Sequence, residues 1–329
     1  MTVQSTDRRI DKLIHLLVRN ATVVVPGTKI AAEIGVTRST VWTWVEKLRS
    51  LGVDIKGHTA SGYQLQKLPD LLVPSLIRPE LEGEIGHKIV HYFRTESTNS
   101  VALELAASGA QHGTVVLAEE QTAGRGRLGR TWYSEKSSGI YCSVILRPAL
   151  SPAAAPIVTL AAGLAAHHAI QSVTGLAVDI RWPNDIMVGG KKACGILTEM
   201  SAELDRLHAV VLGFGINVNH VELPAELRPI ATSLRIEGRK IYSRAQIVVA
   251  LLKELGRCYG MLFERGGAGI AAEWAASSTY AQGKRIRVQS NSGTFLATTA
   301  GLHPTGALRV HRADGREELL VAGEVVEVK

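Results

Sequence analysis

Apolar residues recur every three to four positions within the first fifty residues, which is the period of an amphipathic helix. Three such faces are present, formed by Ile10, Leu13, Ile14 and Leu17, then Ile30, Ala31 and Ile34, then Val41, Val45 and Leu48. Gly35 offers a tight turn after the second face, and Thr37 is a favourable N-cap for the third. Two short extended segments, 53–56 and 63–65, flank a tip that contains glycine and serine. The pattern predicts a helix-turn-helix followed by a small hairpin.

The pattern changes twice along the rest of the chain. Three prolines, Pro69, Pro74 and Pro79, indicate a linker. Strands then alternate with helices up to about residue 275, with predicted strands at 114–120, 140–146, 179–182 and 209–218 and predicted helices at 98–108, 153–172 and 244–262. Short strands alone follow, with turns at 291–293, 305–306 and 314–315. We therefore expect a multidomain α+β protein, with a winged helix-turn-helix at 1–66, a linker at 67–84, an α/β domain at 85–278 and a small β-barrel at 279–329.

Composition favours a cytoplasmic globular protein. Hydrophobic residues make up 46% and charged residues 20% of the chain, and we expect neither a secretory signal nor a membrane span of roughly 20 apolar residues. Cys142, Cys194 and Cys258 are isolated and odd in number, which argues against disulfides and against a zinc site. The net charge of +7 suits an anionic partner such as nucleic acid or phosphate, although a basic enzyme has the same balance.

The helix-turn-helix points to DNA, because the second helix of this motif enters the major groove. Candidate contacts with bases or phosphates lie off its apolar stripe and on the hairpin, and they are Arg38, Ser39, Thr43, Lys47 and Lys56. Residues 1–66 carry nine Lys plus Arg against five Asp plus Glu, an excess that a phosphate-tracking surface needs. A helical domain that contacts only protein is the alternative. Trp42 and Trp44 lie in the same helix, and the helical period requires at least one of them to face outward.

The segment Gly124-Arg125-Gly126-Arg127-Leu128-Gly129-Arg130 is the most informative part of the sequence. It contains a G-x-G-x-x-G spacing, but no helix opens on its last glycine, so a Rossmann site is rejected. No Gly-Lys-Ser/Thr closes it as a Walker A loop either. Three arginines on a glycine-rich backbone can instead close over a polyanion with guanidinium and N–H groups together. A solvated basic loop is the alternative.

Other polar groups accompany this loop. Ser97-Thr98-Asn99 precedes a predicted helix, where one member is expected to cap the helix and the others can bind a small polar head group. Arg181-Trp182-Pro183-Asn184-Asp185 ends a strand, so that it is either a plain turn or a nucleotide or metal site. Lys192 follows a Gly189-Gly190 hairpin and shares a strand face with Cys194 and Ile196. If that face is inward, Lys192 needs an anionic partner.

Taken in this order, these motifs resemble the bifunctional biotin–protein ligase and biotin operon repressor family, and the resemblance extends over almost the whole chain. It implies a central domain related to class II aminoacyl-tRNA synthetases with a mixed sheet, and a C-terminal SH3-like barrel. It also implies two half-reactions, in which biotin and MgATP give biotinyl-5′-adenylate and a lysine of a biotin carboxyl carrier domain of acetyl-CoA carboxylase then receives the biotinyl group. A homodimer that holds the adenylate would bind operator DNA and repress biotin synthesis genes.

The resemblance assigns roles to individual residues. Biotin contacts are expected from Ser97, Thr98, Asn99, Gln121, Arg125, Gly126, Arg127 and Lys192, and nucleotide contacts from Trp132, Asn184 and Asn217. Arg125, Arg127, Lys192 and Mg²⁺ would neutralise the charges that meet during adenylate formation, with Asp185 as the candidate base for transfer. We expect no metal site built by the protein alone.

Two other functions compete with this one. A lipoate–protein ligase shares the central architecture but lacks the pairing of the glycine-arginine loop with the Trp-Pro-Asn-Asp turn. A repressor without enzymatic activity needs the N-terminal domain but has no use for three arginines beside Lys192. A test for biotin-dependent exchange of pyrophosphate into ATP separates all three.

Overall fold

The computed structural model describes residues 8–21, 23–59, 61–203, 207–290 and 293–328. Its N-terminal part has three helices and a hairpin, namely α1 (Arg8–Arg19), α2 (Gly27–Ile34), α3 (Arg38–Ser50), β1 (Ile55–His58) and β2 (Gly62–Leu65). Gly35 ends α2 in the left-handed conformation at φ 76°, and the Thr37 hydroxyl accepts the Thr40 N–H at the start of α3. The predicted helix-turn-helix and hairpin are therefore confirmed.

A seven-stranded mixed sheet forms the centre of the molecule. Its strands are β3 (Ile89–Tyr92), β4 (Val115–Ala118), β5 (Gly139–Leu146), β6 (Val178–Arg181), β7 (Asp185–Val188), β8 (Lys191–Ala202) and β9 (Leu207–Asn217). They lie in the order β3-β4-β5-β9-β8-β7-β6, and only β3 and β4 pair in parallel. The mixed sheet expected for the central domain is confirmed.

Helices cover both faces of this sheet. They are α4 (Pro74–Ile77), α5 (Thr98–Ala107), α6 (Ala155–Thr174), α7 (Leu234–Gly238) and α8 (Arg244–Ala276). Helices α6 and α8 pack together over one face in the largest apolar core, whereas α5 packs on a smaller core beneath the other. The α8 helix is longer than the predicted 244–262 and bends at Gly266, where φ is 65°.

One helix corrects the expectation that no stretch is apolar enough to span a membrane. Residues Pro152–Thr174 reach a mean hydropathy of 1.5 over 18 residues. However, 72% of that window is buried against the sheet and α8. The segment therefore has the surroundings of a core helix, since burial within the protein accounts for its apolar composition.

The C-terminal part is a five-stranded antiparallel sheet. Its strands are β10 (Gln282–Ser290), β11 (Gly293–Leu302), β12 (Leu308–Arg312), β13 (Glu317–Leu320) and β14 (Glu324–Glu327). They lie in the order β13-β12-β11-β10-β14, so that the last strand returns to pair with the first. The apolar residues of this sheet belong to the same core as the central domain. The predicted turn at 291–293 falls partly outside the described residues.

The segment after the hairpin is held to the central domain by paired charges, at a place that we call the seam (Asp70, Glu119 and Arg244). Glu119 and Arg244 are buried, whereas Asp70 is partly exposed. Arg244 is fully buried, and its Nε lies 2.9 Å from Asp70 Oδ2 while its Nη1 lies 2.8 Å from Glu119 Oε2. The Leu72 N–H donates to Glu119 Oε1 at 2.7 Å. Burial alone would raise the pKa of Glu119, but Arg244 and His91 hold it at about 2. This network fixes the chain that leads out of the N-terminal domain.

Candidate functional site

A cavity of about 640 Å³ opens over strands β8 and β9. The twelve residues predicted to bind or transform small molecules all line it, and they are Ser97, Thr98, Asn99, Gln121, Arg125, Gly126, Arg127, Trp132, Asn184, Asp185, Lys192 and Asn217. The Asn217 amide sits at the end of β9 and donates to the Thr232 carbonyl at 3.0 Å. The fold therefore brings together residues that are up to 120 positions apart in the chain.

The start of α5 forms one end of the cavity. The Thr98 N–H donates to Gln121 Oε1 at 2.8 Å, and the Thr98 hydroxyl reaches the same oxygen at 3.1 Å. Ser97 occupies the N-cap position but makes no capping bond through its side chain, so Gln121 supplies the acceptor that was expected from the motif itself. The amide nitrogen of Gln121 donates to Ser134 Oγ at 3.0 Å. Gln121 thus links this helix to the segment that follows the glycine-arginine loop.

Asn99 is 4% exposed and fully hydrogen-bonded within the protein. Its Oδ1 accepts the Ser143 hydroxyl at 2.6 Å, and its Nδ2 donates to Glu199 Oε2 at 2.8 Å. A Cβ at Gly213 would lie 2.1 Å from Asn99 Oδ1, so this position on β9 has room for glycine alone. Asn99 therefore connects the cavity to the buried surface of the sheet.

The glycine-arginine loop is held at three points. Arg125 Nη2 donates to Glu199 Oε2 at 3.0 Å, and Arg127 Nη1 donates to Asn184 Oδ1 at 3.0 Å. The C-terminal sheet supplies the remaining acceptors, since Arg127 Nη2 lies 3.2 Å from the Gly323 carbonyl and Arg130 pairs with Glu324 at 2.7 Å. Each of these arginines has an oxygen partner that a bound anion can replace.

The turn between β6 and β7 places a carboxylate between two cations. Its Trp182–Pro183 peptide bond is cis. Asp185 Oδ1 lies 2.6 Å from Lys192 Nζ, and its Oδ2 accepts Arg181 Nη2 at 2.7 Å. Burial would raise the pKa of Asp185, but Lys192 and Arg181 lower it below its usual range. The partner expected for Lys192 is thus present, while a carboxylate whose pKa is lowered is a weaker proton acceptor than a free one.

A bulge changes the face on which Lys192 lies. The pairing of β7 with β8 shifts between Ile186, which pairs with Cys194, and Met187, which pairs with Lys192. Cys194 is consequently in the core, whereas Lys192 Cε lies only 2.9 Å from the position of a Cβ at Gly195. The predicted shared face of Lys192, Cys194 and Ile196 is wrong because one extra residue in the strand reverses the alternation.

Trp132 forms the floor of the cavity. A Cβ at Gly215 would lie 2.4 Å from its indole, and a Cβ at Gly195 would lie 2.9 Å from it. These two glycines pair across β8 and β9, and together they leave room for the indole ring of Trp132. Lys192 Nζ lies 5.6 Å from the centre of the indole. The site thus combines an apolar platform with positive charges, which suits a ligand that has both a ring and an anionic group.

Several residues of the site were not predicted from the sequence. Glu199 and Glu324 hold arginines, and residues 223–231 form part of the cavity wall. Glu199 could have been found from its place on the strand of Lys192, four positions after Gly195. Glu324 gives no such signal, because it approaches the loop from almost 200 residues away.

The candidate DNA contacts differ in what else they touch. Arg38, Ser39, Thr43, Lys47 and Lys56 are all exposed. Lys47 also contacts the central domain, since its Nζ lies 4.8 Å from the centre of the Phe93 ring. Trp42 is 58% exposed whereas Trp44 packs on the domain core, as the helical period requires. The start of α3 is therefore free for a partner, while its end contacts the protein.

Known protein families match both the central domain and the N-terminal domain of the chain. The biotin/lipoate A/B protein ligase family matches residues 92–217, and an HTH domain matches residues 9–64. The bifunctional ligase/repressor BirA of Bacillus spizizenii is 37% identical over 314 residues, which is 94% of this chain and 96% of that protein. The biotin–[acetyl-CoA-carboxylase] ligase of Mycobacterium tuberculosis is 36% identical over 242 residues, 72% of this chain and 87% of that protein.

Solved structures show the same fold over most of the chain. The biotin protein ligase of Aquifex aeolicus in complex with biotin and ATP superposes with a TM-score of 0.64 at 26% identity. The alignment covers 74% of this chain and 99% of that one. The biotin protein ligase of Leishmania major in complex with biotinyl-5-AMP has a TM-score of 0.51, also at 26% identity.

Proposed function

This chain belongs to the bifunctional ligase/repressor branch of the biotin/lipoate A/B protein ligase family, and from that premise we propose that it attaches biotin to a carrier protein and represses transcription. The acceptor is a lysine in the biotin carboxyl carrier domain of acetyl-CoA carboxylase. The observation that carries the proposal is the meeting of the glycine-arginine loop, the Ser97-Thr98-Asn99 motif and Lys192 around one cavity.

In the first half-reaction a carboxylate oxygen of biotin attacks the α-phosphorus of ATP, and pyrophosphate leaves. Two anions approach each other in this step, so positioned cations lower its barrier. Arg125, Arg127 and Lys192 line the cavity and supply that charge. Ser97, Thr98 and Gln121 bind the head group of biotin, while Trp132, Asn184 and Asn217 receive the nucleotide. Gly126 lets the backbone of the loop approach the ligand closely.

Magnesium enters this scheme with ATP. Among the residues that the structure describes, no three His, Cys, Asp or Glu side chains are grouped as metal ligands. Mg²⁺ is commonly held by phosphates together with one or two carboxylates. Glu324 and Asp185 are the carboxylates that line this cavity. We infer that Mg²⁺ is bound mainly by the phosphates of ATP.

In the second half-reaction the acceptor lysine attacks the acyl carbon of biotinyl-5′-adenylate, and AMP leaves. The mixed anhydride is sensitive to water, so the loop must cover it until the acceptor arrives. The anchoring of Arg127 and Arg130 on Gly323 and Glu324 supports such a closed position. Because Asp185 is already paired with two cations, we infer that it holds Lys192 in place more than it removes a proton.

The regulatory part of the proposal concerns the N-terminal domain. Arg38, Ser39 and Thr43 at the start of α3 and Lys56 on the hairpin contact operator DNA. A loop ordered by the adenylate completes a dimer surface, and the dimer binds two half-sites. Sedimentation with and without biotin plus ATP tests this step, with the dimer expected only when both ligands are present.

We also propose a barrel at the C-terminus and boundaries for the domains. A meander whose last strand returns to the first supports an SH3-like barrel for residues 279–329. We place the winged helix at 1–66, the linker at 67–84 and the ligase domain at 85–278. The seam supports a fixed linker, since Asp70 lies within it. The protein acts in the cytoplasm, where carrier, nucleotide and operator are all available.

Biotin-dependent exchange of radioactive pyrophosphate into ATP tests the enzymatic proposal. The purified chain should catalyse exchange with biotin and should show none with lipoate. Exchange with lipoate alone would identify a lipoate ligase, and absence of exchange with either acid would leave a ligand-sensing repressor. An Arg127→Gly variant should still form the adenylate but lose it into solution, which quenched-flow detection of free biotinyl-5′-adenylate can measure.

A further inference from the structure

The glycine-arginine loop has anchors on two different parts of the molecule. Arg127 and Arg130 are held by Gly323 and Glu324 at the C-terminal sheet, and Arg127 also donates to Asn184 in the turn between β6 and β7. Arg125 is held by Glu199, a residue of a central strand. No role in the reaction follows for Glu199 from the motifs of the sequence. Its position on β8 nevertheless links the loop to the seven-stranded sheet.

Glu199 is itself fixed from behind. The oxygen that accepts Arg125 Nη2 at 3.0 Å also accepts Asn99 Nδ2 at 2.8 Å. Asn99 is 4% exposed, and its other amide atom accepts the hydroxyl of Ser143, which is fully buried. Because a buried amide fixes the position of the Glu199 carboxylate, contact with Arg125 depends on the position of the loop.

Only one of the five N–H donors of Arg125 is used by Glu199 in this contact. The remaining donors stay available to the cavity that Arg125 lines. The side chains of Arg125 and Glu199 are 45% and 25% exposed, so the pair is partly screened by water. This geometry suits orientation of a cation toward a ligand better than permanent neutralisation.

We propose that Glu199 is a positioning residue, which tethers Arg125 to the central sheet and thereby holds the glycine-arginine loop ready to close over an anionic acyl phosphate. The identity of that ligand rests on the proposed function, whereas the tether itself does not. If Glu199 instead competed with the ligand for Arg125, removal of its charge would slow release of the ligand rather than speed it.

The test replaces Glu199→Gln, which keeps an acceptor for Asn99 and removes the charge that faces Arg125. The matched control is Glu203→Gln, which makes the same change on a side chain that is 74% exposed and pairs with His208. Unchanged thermal unfolding of both variants establishes that the fold is intact. The first readout needs no ligand, because it is the rate at which trypsin cleaves after Arg127 and Arg130.

We expect Glu199→Gln to speed cleavage in the loop about threefold, the size of effect that a partly exposed ion pair has, and Glu203→Gln to leave it unchanged. The second readout is release of biotinyl-5′-adenylate, which should also be about threefold faster. In an Arg125→Ala background, Glu199→Gln should change neither rate further, because the tether is already absent.

Three results would overturn the tether. They are unchanged cleavage in Glu199→Gln, slower release of the adenylate, and an equal effect of Glu199→Gln with and without Arg125. Slower release would identify Glu199 as a competitor of the ligand, and equal effects would identify a structural role only. A wild-type protein without biotin-dependent exchange would refute the proposed function and leave the cleavage experiment valid.

Discussion

The seam and the active site both hold arginines paired with carboxylates, but their surroundings differ. At the seam, the side chains of Arg244 and Glu119 are both fully buried. In the site, Asp185 is paired with Lys192 and Arg181, whose side chains keep 28% and 21% of their surface exposed. Water and ligands can therefore reach the second network, whereas at the seam water reaches Asp70, whose side chain is 35% exposed, but not the pair of Arg244 and Glu119.

This difference decides what each network does. When a fully buried charge loses its partner, water cannot take the partner's place. Arg244 and Glu119 therefore stay paired and contribute to the stability of the fold. A partly exposed cation can exchange one anion for another, so the cations of the site can pass from protein carboxylates to a substrate. The same residue types thus serve structure in one place and chemistry in the other.

The largest effect is expected from a substitution of Arg244 at the seam. Replacing Arg244→Met should lower the free energy of unfolding by about 3–5 kcal/mol, because the buried carboxylate of Glu119 then loses its arginine and keeps only His91 beside it. Urea unfolding followed by circular dichroism measures the loss. The control is Arg228→Met, whose pair with Glu222 is exposed and should cost about 0–1 kcal/mol. Equal losses for the two variants would contradict a structural role of the seam.

The converse change in the site is Asp185→Asn. It should slow both half-reactions about 100-fold because Lys192 loses the group that positions it, and it should cost less stability than Arg244→Met. Single-turnover kinetics separate adenylate formation from transfer. Slowing of transfer alone would restore Asp185 as the base, and normal rates in both steps would remove it from the mechanism.

The pH dependence of stability tests burial next to the seam, because His220 is fully buried beside Arg244. Burial and then Arg244 lower its pKa from 6.5 to about 4. The unfolded chain therefore takes up a proton between pH 6.5 and 4 that the folded protein refuses, so stability is present above pH 6.5 and falls toward pH 4. The slope for one such group is at most about 1.4 kcal/mol per pH unit.

Replacing His220→Leu should flatten this part of the stability profile, measured by urea unfolding from pH 7.5 to pH 4.5. The control is His15→Leu, since His15 is exposed on α1. His167 keeps a share of the slope in both variants, because burial also lowers its pKa to about 4. An unchanged slope in His220→Leu would show that His220 is protonated in the folded protein.

The smallest effect is expected at Lys47, where the N-terminal domain touches the central one. Because its ammonium lies over Phe93, Lys47→Ala should leave the salt dependence of operator binding unchanged. Arg38→Ala should instead reduce the slope of log K against log salt by about 0.9, the value for one lost phosphate contact. Fluorescence anisotropy at several salt concentrations measures both. A reduced slope for Lys47→Ala would place that residue on DNA.

The sequence was sufficient to predict features that depend on residues close together in the chain. The helix-turn-helix follows from helical periodicity. Local motifs gave most of the site residues, which the fold joins around one cavity, whereas Gln121, Trp132 and Asn217 were assigned only by the family resemblance. The family resemblance read from those motifs is confirmed by relatives that span almost the whole chain.

What the sequence could not show depends on pairing between distant segments. The bulge beside Lys192 is a property of the register of two strands, and periodicity alone placed that lysine on the same face as Cys194 and Ile196. The contact of Lys47 with Phe93 depends on how two domains meet. Glu324 joins the site because the loop lies between two sheets, which no local pattern encodes. Glu199 lies on the strand of Lys192, but its contact with Arg125 depends on the position of the loop.

The proposed chemistry depends on a cationic loop that closes over a water-sensitive acyl phosphate. A crystal structure of the protein grown with biotin and ATP would show whether the loop closes. We expect guanidinium nitrogens of Arg125 and Arg127 about 2.7–3.2 Å from carboxyl and phosphate oxygens of a single biotinyl-5′-adenylate. An adenylate bound in the cavity with residues 124–130 remote from it would refute closure of the loop.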